Sequence, residues 1–270
     1  MAVNAVLGAI FGDIVGSLYE MHNTKDYNFK LLSRKSGYTD DSILTLATAD
    51  WLVHGGDVAS YYDVYGNKYH GPAGGYGRGF RAWLAKSKKE PYGSDGNGSA
   101  MRISPVGCFF DTMEETLEMA KISASCTHNG EDGIMGAQFV AAAIYLIRNG
   151  NSKEVVKKAL TAMFPSYNID MKYDEVKPNY KWSSLNNGTV PVAFIAFFES
   201  TDFEDAIRKA VSLGGDSDTI GAICGSMAGA YYGIPERFID EIYNRIPQEF
   251  VDVINQFAWE SANKVKKIKE

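Results

Sequence analysis

The sequence predicts an all-α protein, a single-domain helical bundle over residues 1–270, and three observations carry that prediction. Apolar residues recur at helical spacing through most of the chain, as in Val3, Val6, Leu7, Ile10, Ile14 and Leu18. Two apolar segments place glycine at every fourth position: Gly8, Gly12 and Gly16 in one, Gly221, Gly225, Gly229 and Gly233 in the other. Two-residue alternation is absent apart from a stretch near Tyr167–Tyr173, where a short strand is expected. Glycine weakens a helix, so a stripe of it implies that two backbones approach closely. Both segments are too short and too interrupted to span a membrane. They are expected to pack together at the centre of the bundle.

The remaining elements follow from period and caps. The first helix is expected over residues 3–20, closed by Glu20, and the second over 41–54, with Ile43, Leu44, Ala47, Trp51 and Leu52. Residues 66–77 and 91–99 are glycine-rich loops, which let a ligand come close to backbone N–H groups. Helices are expected at 113–125 and 132–149, and Ser152 caps another that runs to Phe164. Residues 170–188, polar with interspersed aromatics, read as a surface excursion. Asp202 caps a helix to Leu213, and Ile220 to Gly233 form the second glycine-striped helix. Pro235 opens a helix to Ile246, a position that tolerates proline. A last helix spans 248–268, its terminal lysines (Lys264 to Lys269) a solvated end that suits the helix dipole. No linker composition or fixed repeat divides the chain.

Composition excludes several classes. Apolar residues make up 45% and charged residues 22%, which argues for a globular core and against disorder. The formal net charge of −6, with no basic stripe before the C-terminal lysines, argues against nucleic acid as a partner except as a modified substrate. Three cysteines without CxxC spacing read as reduced and intracellular. The N-terminus lacks a basic region and Asp13 interrupts its apolar run, so no signal peptide is expected. A cytoplasmic monomer is the expectation.

Two acidic motifs carry the chemistry. Thr39-Asp40-Asp41 and Gly214-Gly215-Asp216-Ser217-Asp218-Thr219 each open an apolar helix. Either alone reads as a cap, because Thr and Asp favour helix starts. Both exceed what one cap needs, and unpaired carboxylates at a buried helix start are costly. Four carboxylates and two hydroxyls form a set of hard oxygen ligands suited to Mg²⁺, Mn²⁺ or Ca²⁺. The loop Ser94-Asp95-Gly96-Asn97-Gly98-Ser99 offers successive amides that can cradle a diphosphate, a weak signal alone. Glu20 by itself reads as solvated, and His128, between two helices, as structural. From the residues alone the function is a metal-dependent hydrolase of a phosphorylated or polyhydroxylated small molecule.

Five motifs in order resemble the ADP-ribosylglycohydrolase family: Gly8-x₃-Gly12-Asp13-x₂-Gly16, Tyr38 to Ser42, Gly96 to Arg102, Thr127-His128, and Gly214 to Thr219. The resemblance covers about residues 4 to 235. It implies an all-α fold with two Mg²⁺ (or Mn²⁺) ions, held by Thr39, Asp40, Asp41, Asp216, Asp218 and Thr219. Tyr19-Glu20-Met21-His22 is similar to the branch acting on O-linked, notably serine-linked, ADP-ribose, where the matching glutamate reaches the metal centre. Gly93 to Ser99 match the loop that holds the ADP-ribose phosphates and ribose, and His128 matches a substrate-contacting histidine. Asp95 stands where relatives commonly carry an aromatic residue, and beside a diphosphate it would repel unless turned away or metal-bound. The implied reaction is hydrolysis of the bond between ADP-ribose and a protein or small-molecule acceptor. Asp40 or Asp41 would act as base, and Glu20 would assist the leaving group. The alternatives are a dimetal nucleotide phosphohydrolase and a non-catalytic ADP-ribose-binding relative.

Overall fold

The computed structural model describes residues 2–267, and every regular element among them is a helix. The first half contains α1 (Ala2–Gly16), α2 (Asp40–His54), α3 (Val58–Lys68), α4 (Arg78–Leu84), α5 (Gly98–Met101), α6 (Ser104–Phe109) and α7 (Met113–Ser125). The second contains α8 (Glu131–Arg148), α9 (Lys153–Met163), α10 (Tyr173–Val176), α11 (Asn186–Phe198), α12 (Phe203–Ser212), α13 (Ser217–Tyr232), α14 (Glu236–Tyr243) and α15 (Gln248–Lys267). Extended pairing among the described residues is limited to two isolated bridges, Thr39 with Ala73 and Gly96 with Leu185. The predicted helix end at 268, with the last of the lysines, lies outside the described residues.

At the centre α1 and α13 run antiparallel with almost no side chain between them. A Cβ added to Gly12 would lie 1.9 Å from the Gly221 carbonyl oxygen, and one on Gly8 2.1 Å from that of Gly225. The expected glycine seam therefore exists. Helices α2, α6, α14 and α15 pack on α1, while α8, α11 and α12 pack on α13. Burying both faces this way leaves α1 and α13 apolar all round, as the sequence of each shows.

Helix α13 begins at Ser217, three residues before the expected Ile220, and α14 ends at Tyr243, three before Ile246; three further differences have a physical reason. Helix α1 stops at Gly16, not Glu20, and the amides of Tyr19 and Glu20 both turn back to the Gly16 carbonyl (2.8 and 3.1 Å). Its antiparallel partner begins opposite Gly16, where an added Cβ would meet the Ser217 carbonyl at 2.2 Å. Beyond that point a longer α1 would have nothing to pack against. Residues 167–173 form no strand. Tyr167 and Ile169 are buried as alternation requires, but among the described residues there is no neighbouring strand to pair with, and Tyr167 packs on Phe139 (4.9 Å between ring centroids). The surface excursion ends early, because α11 begins at Asn186. From Thr189 to Phe197 every residue of α11 is buried, so it shows no periodicity, and Pro191 inside it further hides the helix. The short helices α3 to α6 and α10 have no counterpart in the sequence reading.

Candidate active site

The register of the central pair decides where the acids meet. Because α1 ends where α13 begins, the turn after Gly16 lies beside the turn before Ser217. Asn23 locks the two: its amide nitrogen donates to the Gly215 carbonyl (2.8 Å), and its amide oxygen accepts from the Gly215 N–H (2.7 Å). Gly214 and Gly215 have φ of 71° and 78°, a left-handed pair that makes this reversal sterically cheap.

Asp13, in the last turn of α1, positions the start of α2. It is fully buried and accepts from the Thr39 N–H (2.9 Å) and hydroxyl (2.8 Å), and from the Ser42 N–H (3.1 Å) and hydroxyl (2.5 Å). Orphan donors of the first turn of α2 are thereby satisfied from another helix. Burial pushes the Asp13 carboxyl up to about 6, against the lowering effect of those hydrogen bonds.

Glu20, Asp40, Asp41, Asp216, Asp218 and Thr219 then line one cavity of about 390 Å³. Glu20, Asp216 and Asp218 each bring a carboxylate oxygen within 4.8 Å of the others. Asp41 Oδ2 lies 3.4 Å from the hydroxyls of both Thr39 and Thr219, so the two motifs, 178 residues apart at that contact, touch directly. Asp41 Oδ1 is buried without a hydrogen-bond partner. Burial, then the neighbouring carboxylates, raises Asp40, Asp41 and Asp218 well above the usual range. Glu20 is raised by the same causes, and Asp216 by burial. Among the described residues no lysine or arginine forms an ion pair with any of them. An all-oxygen donor set, buried, uncompensated and with an orphaned lone pair, fits a hard divalent cation.

The facing wall comprises Tyr92, Ser94, Gly96, Asn97, Gly98 and His128. Asn97 ties it to the acidic wall by donating to Asp216 Oδ2 (2.7 Å). The loop is held by backbone bonds from the Asn97 N–H to Ser184 O (2.8 Å) and from the Asn186 N–H to Asp95 O (3.1 Å). A Cβ on Gly98 would sit 3.0 Å from His128 Nε2, so glycine there leaves room for the ring.

The sequence profile described as ADP-ribosylglycohydrolase matches residues 2–267. The chain belongs to this family. It is 27% identical to the Pseudomonas putida protein named ADP-ribosylarginine hydrolase Tri1, over 93% of this chain and 78% of that one. Identity to the human protein named ADP-ribosylhydrolase ARH3 is 26%, over 85% and 84% respectively. A solved structure described as an ADP-ribosylglycohydrolase-related protein complex superposes with a TM-score of 0.73 at 25% identity, covering 96% of this chain and 97% of that one.

Four residues singled out in the sequence of this ADP-ribosylglycohydrolase lie off the cavity wall. Thr39 faces Asp13 and Asp41 from behind. The Gly93 N–H donates to the Asn129 side chain, and the Ser99 hydroxyl donates to Gly133 O (2.6 Å). Asp95 is turned away from the cavity and accepts from the Gly133 N–H (2.9 Å) in the first turn of α8. A carboxylate there complements the helix dipole, which relieves the repulsion expected beside a phosphate. Asp95→Ala is expected to lower the melting temperature by a few degrees, on the order of 1 kcal/mol for a lost cap, and to leave Mn²⁺ affinity unchanged in a titration.

The structure adds residues that the sequence reading did not place. Asp13 stood in the sequence as a carboxylate interrupting an apolar helix and as part of the first motif, without an assigned role, and its four hydrogen bonds supply one. Tyr76, Arg78, Phe80, Arg81 and Trp182 join the cavity from α4, the loop before it and the 170–188 excursion. Trp182 is 56% exposed, a large aromatic left open at the cavity.

Proposed function

We propose that this chain is a divalent-cation-dependent hydrolase that releases ADP-ribose from an acceptor by cleaving at C1″ of the distal ribose. ADP-ribosyl hydrolysis of the glycosidase type follows from the family; the metal dependence and the roles below are the finer reading. It is supported above all by one observation: five carboxylates from three segments line one cavity with a glycine-rich loop, and none of them has an ion-pair partner among the described residues. Asp40, Asp41, Asp216 and Asp218, with Glu20 and the Thr219 hydroxyl, would hold two Mg²⁺ or Mn²⁺ ions, while Thr39, expected from the sequence among the ligands, lies behind them with its hydroxyl on Asp13. A bound divalent cation supplies Lewis acidity there, orienting vicinal ribose hydroxyls and lowering the pKa of water.

The chain's own residues divide the remaining work. Asp40, less enclosed than Asp41 and with a raised pKa, takes the proton of the attacking water as the new C1″–O bond forms. Asp41, whose Oδ1 lacks any partner, is the better holder of a cation. Glu20 sits on a turn, half-buried, and gives a proton to the departing acceptor atom as its bond to C1″ breaks, which an alcohol such as serine requires. Ser94, Gly96, Asn97, Gly98 and His128 line the side that receives the phosphates and ribose. No described helix is long and apolar enough to cross a membrane. A cytoplasmic monomer acting on modified proteins or small molecules completes the reading.

The test is product analysis on serine- and arginine-linked ADP-ribosyl peptides. Intact ADP-ribose is expected, its release abolished by EDTA and restored by Mg²⁺ or Mn²⁺. Release of AMP or inorganic phosphate would establish the nucleotide phosphohydrolase instead, and turnover indifferent to chelation would overturn the metal role.

A further inference from the structure

Beside His128 in the lining of the cavity lies a guanidinium with no carboxylate partner. Arg102 is fully buried, its Cζ 4.0 Å from the Tyr62 ring centroid, and its Nε and Nη1 have no protein partner. Its Nη2 donates to the Ser123 carbonyl (3.0 Å) and to Thr127 Oγ1 (2.8 Å). The same Thr127 oxygen lies 2.7 Å from His128 Nδ1 and 3.5 Å from the Ala124 carbonyl. We infer that Arg102 and Thr127 act as positioning residues that fix His128 in the neutral tautomer protonated at Nε2, so that the ring offers a permanent hydrogen-bond donor to an oxygen of the ligand.

The hydrogen count forces this assignment. An arginine is always a donor, so it occupies one lone pair of the Thr127 hydroxyl. The hydroxyl has a single hydrogen, and its candidate acceptors are Nδ1, the Ala124 carbonyl and the Cys126 sulfur, the last a weak acceptor by its chemistry. At 3.5 Å the Ala124 carbonyl is beyond a normal O–H···O bond, whereas 2.7 Å to Nδ1 is ideal. Thr127 therefore donates to Nδ1, which must be unprotonated, and the ring hydrogen goes to Nε2. Nε2 is the atom nearest the glycines of the cavity wall, Gly96 and Gly98. The alternative, Nδ1–H pointing at Thr127, would leave the hydroxyl accepting twice and its own hydrogen without a good partner. Burial and the Arg102 charge also hold the ring pKa well below its usual value, which keeps the ring neutral.

The functional consequence rests on the cavity binding ADP-ribose: His128 serves as a fixed donor to a phosphate or sugar oxygen and takes no part in proton transfer. That leaves acid–base work to the carboxylates.

Nitrogen-labelled histidine NMR of the ligand-free protein reads the tautomer directly, with His128→Gln assigning the signal among the four histidines. The expected spectrum shows His128 with unprotonated Nδ1 and protonated Nε2, unchanged as the pH is lowered through about 6, where an ordinary imidazole gains its proton. A Nδ1–H tautomer, or an imidazolium near neutral pH, would overturn the inference. Thr127→Val should release the tautomer and weaken ADP-ribose binding about tenfold, the scale of one lost hydrogen bond, while Thr127→Ser should restore both. Equal binding by the valine variant would also overturn it. If the tautomer is as described but ADP-ribose does not bind at all, the functional reading fails and the relay stands.

Discussion

Asp218→Asn is expected to abolish hydrolysis and, in EDTA, to make the protein more stable than the parent. Both effects come from one cause. Without cations the site buries like charges against one another, and every carboxyl in it is held above its usual pKa. Removing one charge relieves that repulsion, and each 1 kcal/mol gained raises the melting temperature by about 2–4 °C in a chain of this size. Outer partners of metal ligands already cost about 10–100-fold when mutated, so loss of Asp218 should reduce ADP-ribose release on the order of 10²-fold or more. Added Mn²⁺ should stabilise the parent far more than the variant. Calorimetry with and without the ion checks this, and a variant destabilised in EDTA would argue against a repulsive cation-free site.

The pH dependence has a definite sign. Asp13 moves from 3.8 to about 6 on folding, so between those values the folded chain binds more protons than the unfolded one. The contribution of Asp13 to the stability of the cation-free protein is then fully present below about pH 4 and is lost as pH rises through about 6. The more strongly raised Asp40, Asp41 and Asp218 extend that decline further upward. Saturating divalent cation should flatten the slope, because the ionised carboxylates then have a partner.

Gly12→Val is expected to prevent folding outright. Its first added atom would lie 1.9 Å from the Gly221 carbonyl oxygen and 2.3 Å from the carbonyl carbon, both backbone and unable to step aside. Ordinary overpacking costs about 1–3 kcal/mol. Here two central helices must separate along their length, against a total stability of roughly 5–15 kcal/mol. Insoluble expression, or a melting temperature lowered by roughly 10 °C or more, is the outcome to measure. Gly37→Ala is the matched control, since a Cβ there meets nothing within 4 Å and should change little.

Much of this was legible in the residues. The glycine spacing predicted the central pair, and the excess acids at two helix starts predicted their meeting, because both signals are dictated by local chemistry. What stayed hidden depends on surroundings. Helix α11 is buried on all sides and so has no polar face to reveal its period. Glu20 was read as a helix end because its spacing fits α1, and only the start of α13 explains why the chain turns at Gly16. Asp95 follows the pattern of a phosphate loop, yet its carboxylate serves α8, a contact set by residues 38 positions away. The relay to His128 needed Arg102 and Thr127 in three dimensions, although Met101-Arg102 and Thr127-His128 already stood in the sequence motifs.

The seam between α1 and α13 also bears on how the protein can change over time. Main chain rests on main chain there, so the placement of α1 against the second acidic motif contains no rotamer that could drift, and the Asp13 side chain carries that placement on to the first motif. Substitutions elsewhere in the interior can accumulate and repack without moving the carboxylates relative to each other. A scaffold of this kind keeps its reactive geometry while its surface and loops diversify toward new acceptors.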